Sequence, residues 1–394
     1  MKTPMTKVLD HTDFADIAPY EDSEFAARMR SLVEEPGFEH AVRFVMPEVD
    51  YQEFVNRLKQ VPNNERFQLD IMWPFLEMLA KRTTTGVSMS GQESINPDHC
   101  YTFITNHRDI VLDASFLNLM FIRHQLPTSE VAIGNNLLIY DWITDLVKLN
   151  KSFIVKRNLK MTAALQAAKQ LSGYIHYAIQ SKHQSVWIAQ REGRAKDSND
   201  VTQESLIKML ALAGGESMLD NLKAINLCPV AITYEYDPND YLKAREMLLR
   251  HRDPEFKKSQ RDDLFSMETG LLQFKGRVHF TVSRCINDEL NKLEPGLEKA
   301  EVAHQVAAII DRNIHAGYMI YPVNYIAYDR YYETDRFRDC YTEQDILDFD
   351  AYIDGQLAKV DVEDPTTEDV AFMRGKIYEM YANPLKNKLA ATQG

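Results

Sequence analysis

The sequence has little cysteine, a deficit of positive charge and no long apolar run, and each shortage excludes something. Its 4 cysteines, Cys100, Cys228, Cys285 and Cys340, stand far apart with no CxxC spacing. A zinc site or a disulfide framework is therefore not expected, and the thiols should be reduced and mostly buried. No stretch approaches the roughly 20 apolar residues that cross a bilayer. The opening MKTPMTKVLDHTDFAD lacks the apolar core of a secretory signal, so a cytoplasmic protein is expected. Lys and Arg number 45 against 58 Asp and Glu, a formal net charge of -13. That balance argues against a general nucleic-acid binder, which would present a basic face. With 15 Gly and 15 Pro in no enriched tract, and no internal repeat, collagen-like segments and solenoids are excluded.

What is present reads as a globular protein of more than one packing unit: 394 residues, 45% hydrophobic and 26% charged. FAARMRSLVEE, YQEFVNRLKQV and ERFQLDIMWPFLEMLAKR carry apolar residues at three- and four-residue spacing, which predicts an amphipathic helical module over residues 1–92. Pro74 should kink or restart the last of these helices. The polar stretch SGQESINPDH then marks a boundary. From Tyr101 short apolar strands (YTFIT, VAIG, SFIVK, SVWIA, CPVAITYEY, RVHFTVS) alternate with helical segments. That alternation predicts an α/β domain over residues 93–288 with a mixed, largely parallel sheet flanked by helices. Residues 289–394 read as helical again. Tyr321, Tyr325, Tyr328 and Tyr332 fall on one helical face there, and packing is the reading given to them.

NHRDIVLD, residues 106–113, contains the HRD of a protein-kinase catalytic loop. A kinase needs an Asn five places after that Asp, a Gly-rich phosphate loop upstream and a DFG downstream. Ala114 stands at the first position and the other two motifs are missing, so the His serves other chemistry. NHRD, KRN and QREGRAKD each follow a strand, and open sheets of this kind bind ligands beyond the carboxyl ends of their strands. Between Asp145 and Leu210 eleven Lys and Arg meet five Asp and Glu, a basic island in an acidic protein. A His with a nearby acid can deprotonate a bound alcohol without a nucleophilic Ser or Cys beside it.

Four segments in order carry a resemblance. TNHRDIVLDASFLNL has Asn-His followed by an acid, SFIVKRN is a strand ending in basic residues, VWIAQREGRAKD leads into Glu-Gly-Arg, and LCPVAITYEYDP opens a strand with Pro229. Together they span about 130 residues, a third of the chain, and resemble the glycerolipid acyltransferases, the group of glycerol-3-phosphate and lysophosphatidic acid acyltransferases. Two segments depart from that family's pattern: the acid stands one residue further from the His, and the residue between Gly and Arg is absent.

The resemblance implies a glycerol-3-phosphate acyltransferase-like fold and transfer of a fatty acyl group from an acyl thioester, acyl-CoA or acyl carrier protein, to glycerol-3-phosphate or a lysophospholipid. It would serve phospholipid biosynthesis, with no metal and no bound cofactor. His107 would be the base. Asp113, which precedes the same kind of apolar helix, is the favoured orienter, with Asp109 the alternative. In a regular helix Asp113 would lie about 9 Å along the axis from His107, so the chain must bend between them. Arg157 and Arg194, with Lys156 and Lys196, would hold an acceptor phosphate. Glu192 would orient Arg194 or meet an acceptor hydroxyl, Gly193 would admit backbone close to the ligand, and Pro229 would shape the strand entry. Two rival readings are an acyltransferase for a lysolipid without phosphate and a non-catalytic lipid- or carrier-protein-binding module. Peripheral contact with the inner face of the cell membrane is expected. A helix over LLIYDWITDLVKL could make it, with Leu138, Trp142, Ile143, Leu146 and Leu149 on one face and Lys148 and Lys151 near its end. The competing reading is that this face covers the sheet.

Overall fold

The computed structural model describes residues 11–215 and 217–393. Seven strands, β1 (Gly86–Ser90), β2 (Thr102–Thr105), β3 (Glu130–Gly134), β4 (Ser152–Val155), β5 (Val186–Ala189), β6 (Leu227–Tyr234) and β7 (Arg277–Val282), form one sheet in the order β1-β7-β6-β2-β5-β3-β4. The strands from β6 to β4 in that order run parallel, β7 is antiparallel to β6, and β1 is parallel to β7. This is the mixed, largely parallel α/β sheet that the alternating pattern predicts. The sheet begins earlier than Tyr101, however. GVSMS offers only two apolar side chains and lies on an edge, so its pattern is too weak to read as a strand.

Period-two alternation decides which core each side chain joins. Ile104, Val186, Ile188, Leu227 and Ala231 meet the helices Met161–Gln180 and Lys299–Gly317 on one face. Their neighbours Phe103, Trp187, Cys228, Val230 and Ile232 meet the helix Leu112–Arg123 and Leu76 and Leu79 on the other. The helix Leu112–Arg123 is buried nearly all round, which explains its weak amphipathic pattern.

Two helical layers complete the molecule. The helices Asp22–Val33, Pro36–Val45 and Tyr51–Leu58 share a core with Leu149, and Trp142 and Leu146 pack against it. The face of LLIYDWITDLVKL expected at a membrane or on the sheet is thus taken up largely by the N-terminal helices. That helix also starts only at Asp141, which leaves Leu138 outside it. Pro74 falls inside one unbroken helical run over residues 64–83, and the Asp70 carbonyl four residues before it, which a proline cannot serve, accepts from the Arg57 guanidinium at 3.4 Å. A wider π turn at Gln68–Met72 precedes it, and the helical run continues through the proline rather than restarting there. At the other end Tyr321 joins a core with Phe349, Ile353, Ile377 and Tyr381, and Tyr328 packs against it.

Candidate active site

The parallel strands β2, β5, β3 and β4 end on the same edge of the sheet, so the segments after them converge. Past β2, the Asn106 side chain continues the ladder in place of backbone. Its Nδ2 donates to Ile232 O at 2.9 Å and its Oδ1 accepts from Ile232 N at 2.7 Å. This buried two-way clamp fixes where the next residue, His107, leaves the sheet.

The 107–111 segment bends before the helix Leu112–Arg123 begins, and the bend folds Asp113 back onto the imidazole. One carboxylate oxygen, Oδ2, accepts from His107 Nδ1 at 2.8 Å, from the Arg108 N–H at 2.7 Å and from the Asp109 N–H at 3.1 Å. An acceptor oxygen requires the proton on Nδ1, which leaves the Nε2 lone pair unprotonated in the neutral ring. The ring edge meets Trp187, with centroids 5.9 Å apart, and the ring forms part of a cavity wall. Asp109 has a different job. Its Oδ1 accepts from the Val111 and Leu112 N–H groups at 2.9 and 2.7 Å, capping the helix that carries Asp113. Burial and the charge of Asp113 push the Asp109 carboxyl above its usual range.

Arg108 points away from the cavity into the protein. Its guanidinium pairs with Asp200 at 2.7 Å and lies over the Tyr318 ring, whose hydroxyl donates to the same Asp200 oxygen at 2.8 Å. Burial would lower the Arg108 pKa, but Asp200 and neighbouring acids hold it above the ordinary arginine value. The bridge ties the loop that carries His107 to the segment that follows β5. Neither this pair nor the Asn106 clamp is legible from local spacing, because each joins residues far apart in the chain.

The basic residues fall into two groups. Arg157 and Arg194 border the cavity. The Arg157 backbone N–H donates to Asn135 Oδ1 at 2.8 Å, and its guanidinium lies so close to Gly134 that a Cβ there would sit 2.9 Å from Nε. A side chain at Gly134 would crowd Arg157 and, more closely, the Asn136 amide at 2.5 Å, so these side chains would have to shift. Arg194 is 9% exposed, and with the Asn239 amide turned to satisfy both of its neighbours, Arg194 donates to its oxygen at 3.1 Å and its nitrogen donates to Ser266 O at 3.1 Å. Lys196 and Lys156 also line the cavity but have partners, Glu246 at 2.5 Å and Asp16 respectively. Burial pushes the Lys196 pKa down to about 8, with Glu246 opposing the shift. Glu192 stands at the mouth, 66% exposed and 3.7 Å from Arg157 rather than oriented on Arg194. Gly193 beside it has φ +69, a left-handed backbone that favours glycine.

The cavity measures about 1150 Å³. His107, Arg157 and Arg194 form part of its wall. Side chains of the N-terminal helical layer, among them Val42, Phe54 and Ile71, form another part. Pro229 is not part of this wall. It sits inside β6, aligned with Ile104 of β2, and its carbonyl accepts from Ser283 N at 2.9 Å. Its place is in the sheet rather than beside a ligand channel. Among the described residues no helix is long and apolar enough to cross a membrane.

No family model matches the chain, and no curated protein matches its sequence. A solved structure with a similar fold is the 1-acyl-sn-glycerophosphate (LPA) acyltransferase PlsC from Thermotoga maritima. Sequence identity is 11%, the match covers 73% of this chain and 92% of that chain, and the TM-score is 0.37. At that distance the chemistry has to be read from the residues of the site themselves.

Proposed function

We propose that this protein is an O-acyltransferase that moves a fatty acyl group from an acyl thioester to the hydroxyl of a phosphate-bearing acceptor, glycerol-3-phosphate or a lysophospholipid. One observation carries the reading. A His–Asp pair, with Nε2 left for chemistry, opens onto a cavity that has arginines in one part of its wall and apolar helices in another. A fatty chain fits the apolar part, where each buried methylene contributes about 0.8 kcal/mol. A phosphate fits the arginines, whose planar donors match its oxygens.

In the step itself Nε2 takes the proton of the acceptor hydroxyl as that oxygen attacks the thioester carbonyl. The C–S bond then breaks, and the departing thiolate takes a proton from the imidazolium. Asp113 keeps the ring in the required tautomer and offsets the charge it gains. No acyl-enzyme intermediate is needed. Positioning of the hydroxyl against the carbonyl would supply much of the remaining rate. Acyl-CoA and acyl carrier protein present the same thioester, and either serves as donor in this scheme. Product of this kind would feed phospholipid biosynthesis.

The test is thiol release from palmitoyl-CoA and palmitoyl acyl carrier protein with glycerol-3-phosphate or lysophosphatidic acid. Release that needs the acceptor and disappears in His107→Ala supports the proposal and identifies both substrates. Release unchanged by Arg157→Ala and Arg194→Lys would favour an acceptor without phosphate. Lipid binding with no turnover of any pair would favour a binding module.

A further inference from the structure

One stretch of the cavity's rim is unlike the rest of this acidic protein, although Glu192, Glu246 and Asp263 also line the wall. From residue 146 to residue 191 there is no Asp or Glu, while eight Lys and Arg occur. Within that stretch the segment that enters the helix Met161–Gln180 stands out from the body, and residues 158–166 are all exposed. Met161 is 90% exposed, Leu165 52% and Leu159 40%. Met161, Leu165 and Lys169 follow at i, i+4 and i+8 on one helix face. On the adjacent face Ala164, Ala168 and Leu171 line the cavity. Two other segments that reach the cavity wall also carry exposed aromatics, Tyr140 at 55% and Phe265 at 49%. Lys160 and Lys169 flank the apolar projections and have no ion pair among the described residues.

Large apolar side chains left in water beside a ligand cavity mark an interaction surface. The form of this one selects the partner. Apolar side chains project from separate segments, and two lysines without an ion pair among the described residues stand beside the most exposed of them. We infer that this rim docks on the surface of an anionic lipid bilayer, with Leu159, Met161 and Leu165 entering the headgroup boundary and Lys160 and Lys169 meeting lipid phosphates. The docking element is thus the start of the helix Met161–Gln180. The face of the helix Asp141–Leu149 is already covered by the N-terminal layer. Docked in this way the cavity opens toward the bilayer, and a lipid acceptor or product passes between the two without crossing water. The route for lipid rests on the acyl-transfer reading; the docking itself does not.

The experiment is flotation of the full chain with vesicles of phosphatidylcholine alone and of phosphatidylcholine with phosphatidylglycerol, at about 0.15 M salt, where exposed charges more than about 8 Å apart are screened. Wild type should float with the anionic vesicles and not with the neutral ones. Met161→Ser/Leu165→Ser and Lys160→Glu/Lys169→Glu should each weaken that binding at least tenfold. Both should retain the wild-type circular dichroism and wild-type turnover of a short, water-soluble acyl thioester. His107→Ala should float like wild type, so failure of the catalytic reading and failure of the docking are separately visible. Equal flotation of wild type and both double variants would overturn the inference. So would loss of binding to an acidic carrier protein in these variants while vesicle binding persists.

Discussion

The loop that presents His107 and the segments that present Arg157 and Lys160 are held in opposite ways. Asn106 is clamped through both atoms of its amide, Arg108 is locked by Asp200 and Tyr318, Asp109 caps a helix, and Asp113 accepts three hydrogen bonds through one oxygen. Arg157 and Glu192, by contrast, are separated by 3.7 Å and partly or largely in water, and Lys160 and Met161 are exposed. Proton transfer rewards a fixed geometry, because a small displacement of the base costs rate steeply. Capture of an anionic group rewards accessible charge that has not already spent itself on a partner. The rigid region would therefore govern kcat and stability, and the open region would govern KM.

The strongest way to break that contrast is at the lock. Arg108→Met leaves the Asp200 carboxylate buried without its partner, and the expected cost is about 3–5 kcal/mol of folding stability. Denaturant melts would show it, and the accompanying Asp200→Leu should recover most of the loss because it removes the stranded charge. A second substitution sharpens the contrast from the open side. Arg157→Ala should raise KM for a phosphate-bearing acceptor about 10- to 100-fold, the worth of a charge-assisted hydrogen bond. It should leave kcat and stability nearly unchanged, as steady-state kinetics and a melt on the same preparation would show. The smallest effect concerns Lys196, the residue between the two regimes. Its pKa is pushed down to about 8, so its charge is present below that pH and lost as pH rises through it. Affinity for an anionic acceptor should fall about three- to fivefold across that range, within the worth of a partly screened pair. Lys196→Arg should abolish the dependence, because arginine stays protonated.

Much of the α/β region was legible because its helices and strands carry clean periods. MTAALQAAKQLSGYIHYAIQ and the apolar cores of VWIA and SFIV coincide with the observed elements. β1 was not legible, since an edge strand of Gly, Ser, Val and Met has no face to advertise. Nor was the start of the helix at Asp141, because Leu137 and Leu138 extend the apolar run into a 3₁₀ turn. At the site, strand ends marked the clusters that hold His107, Arg157 and Arg194, and the resemblance to the glycerolipid acyltransferases singled those residues out. Spacing alone left Asp113 and Asp109 as alternatives, since the choice depends on a bent loop rather than on helical periodicity. The Arg108–Asp200 bridge, the Asn106 clamp and the Asn239 contact to Arg194 were out of reach, because each joins segments that only the folded sheet brings together.

The central claim is that His107, oriented by Asp113, is the base of an acyl transfer. The most direct measurement is kcat for acceptor-dependent ester formation in His107→Ala, Asp113→Asn and Asp109→Asn, each confirmed folded by circular dichroism. His107→Ala and Asp113→Asn are expected to lose at least about a hundredfold, the contribution of a positioned general base. Asp109→Asn, which keeps an oxygen to cap the helix, is expected to stay within a few-fold of wild type. A His107→Ala protein that forms ester at the wild-type rate would contradict the account.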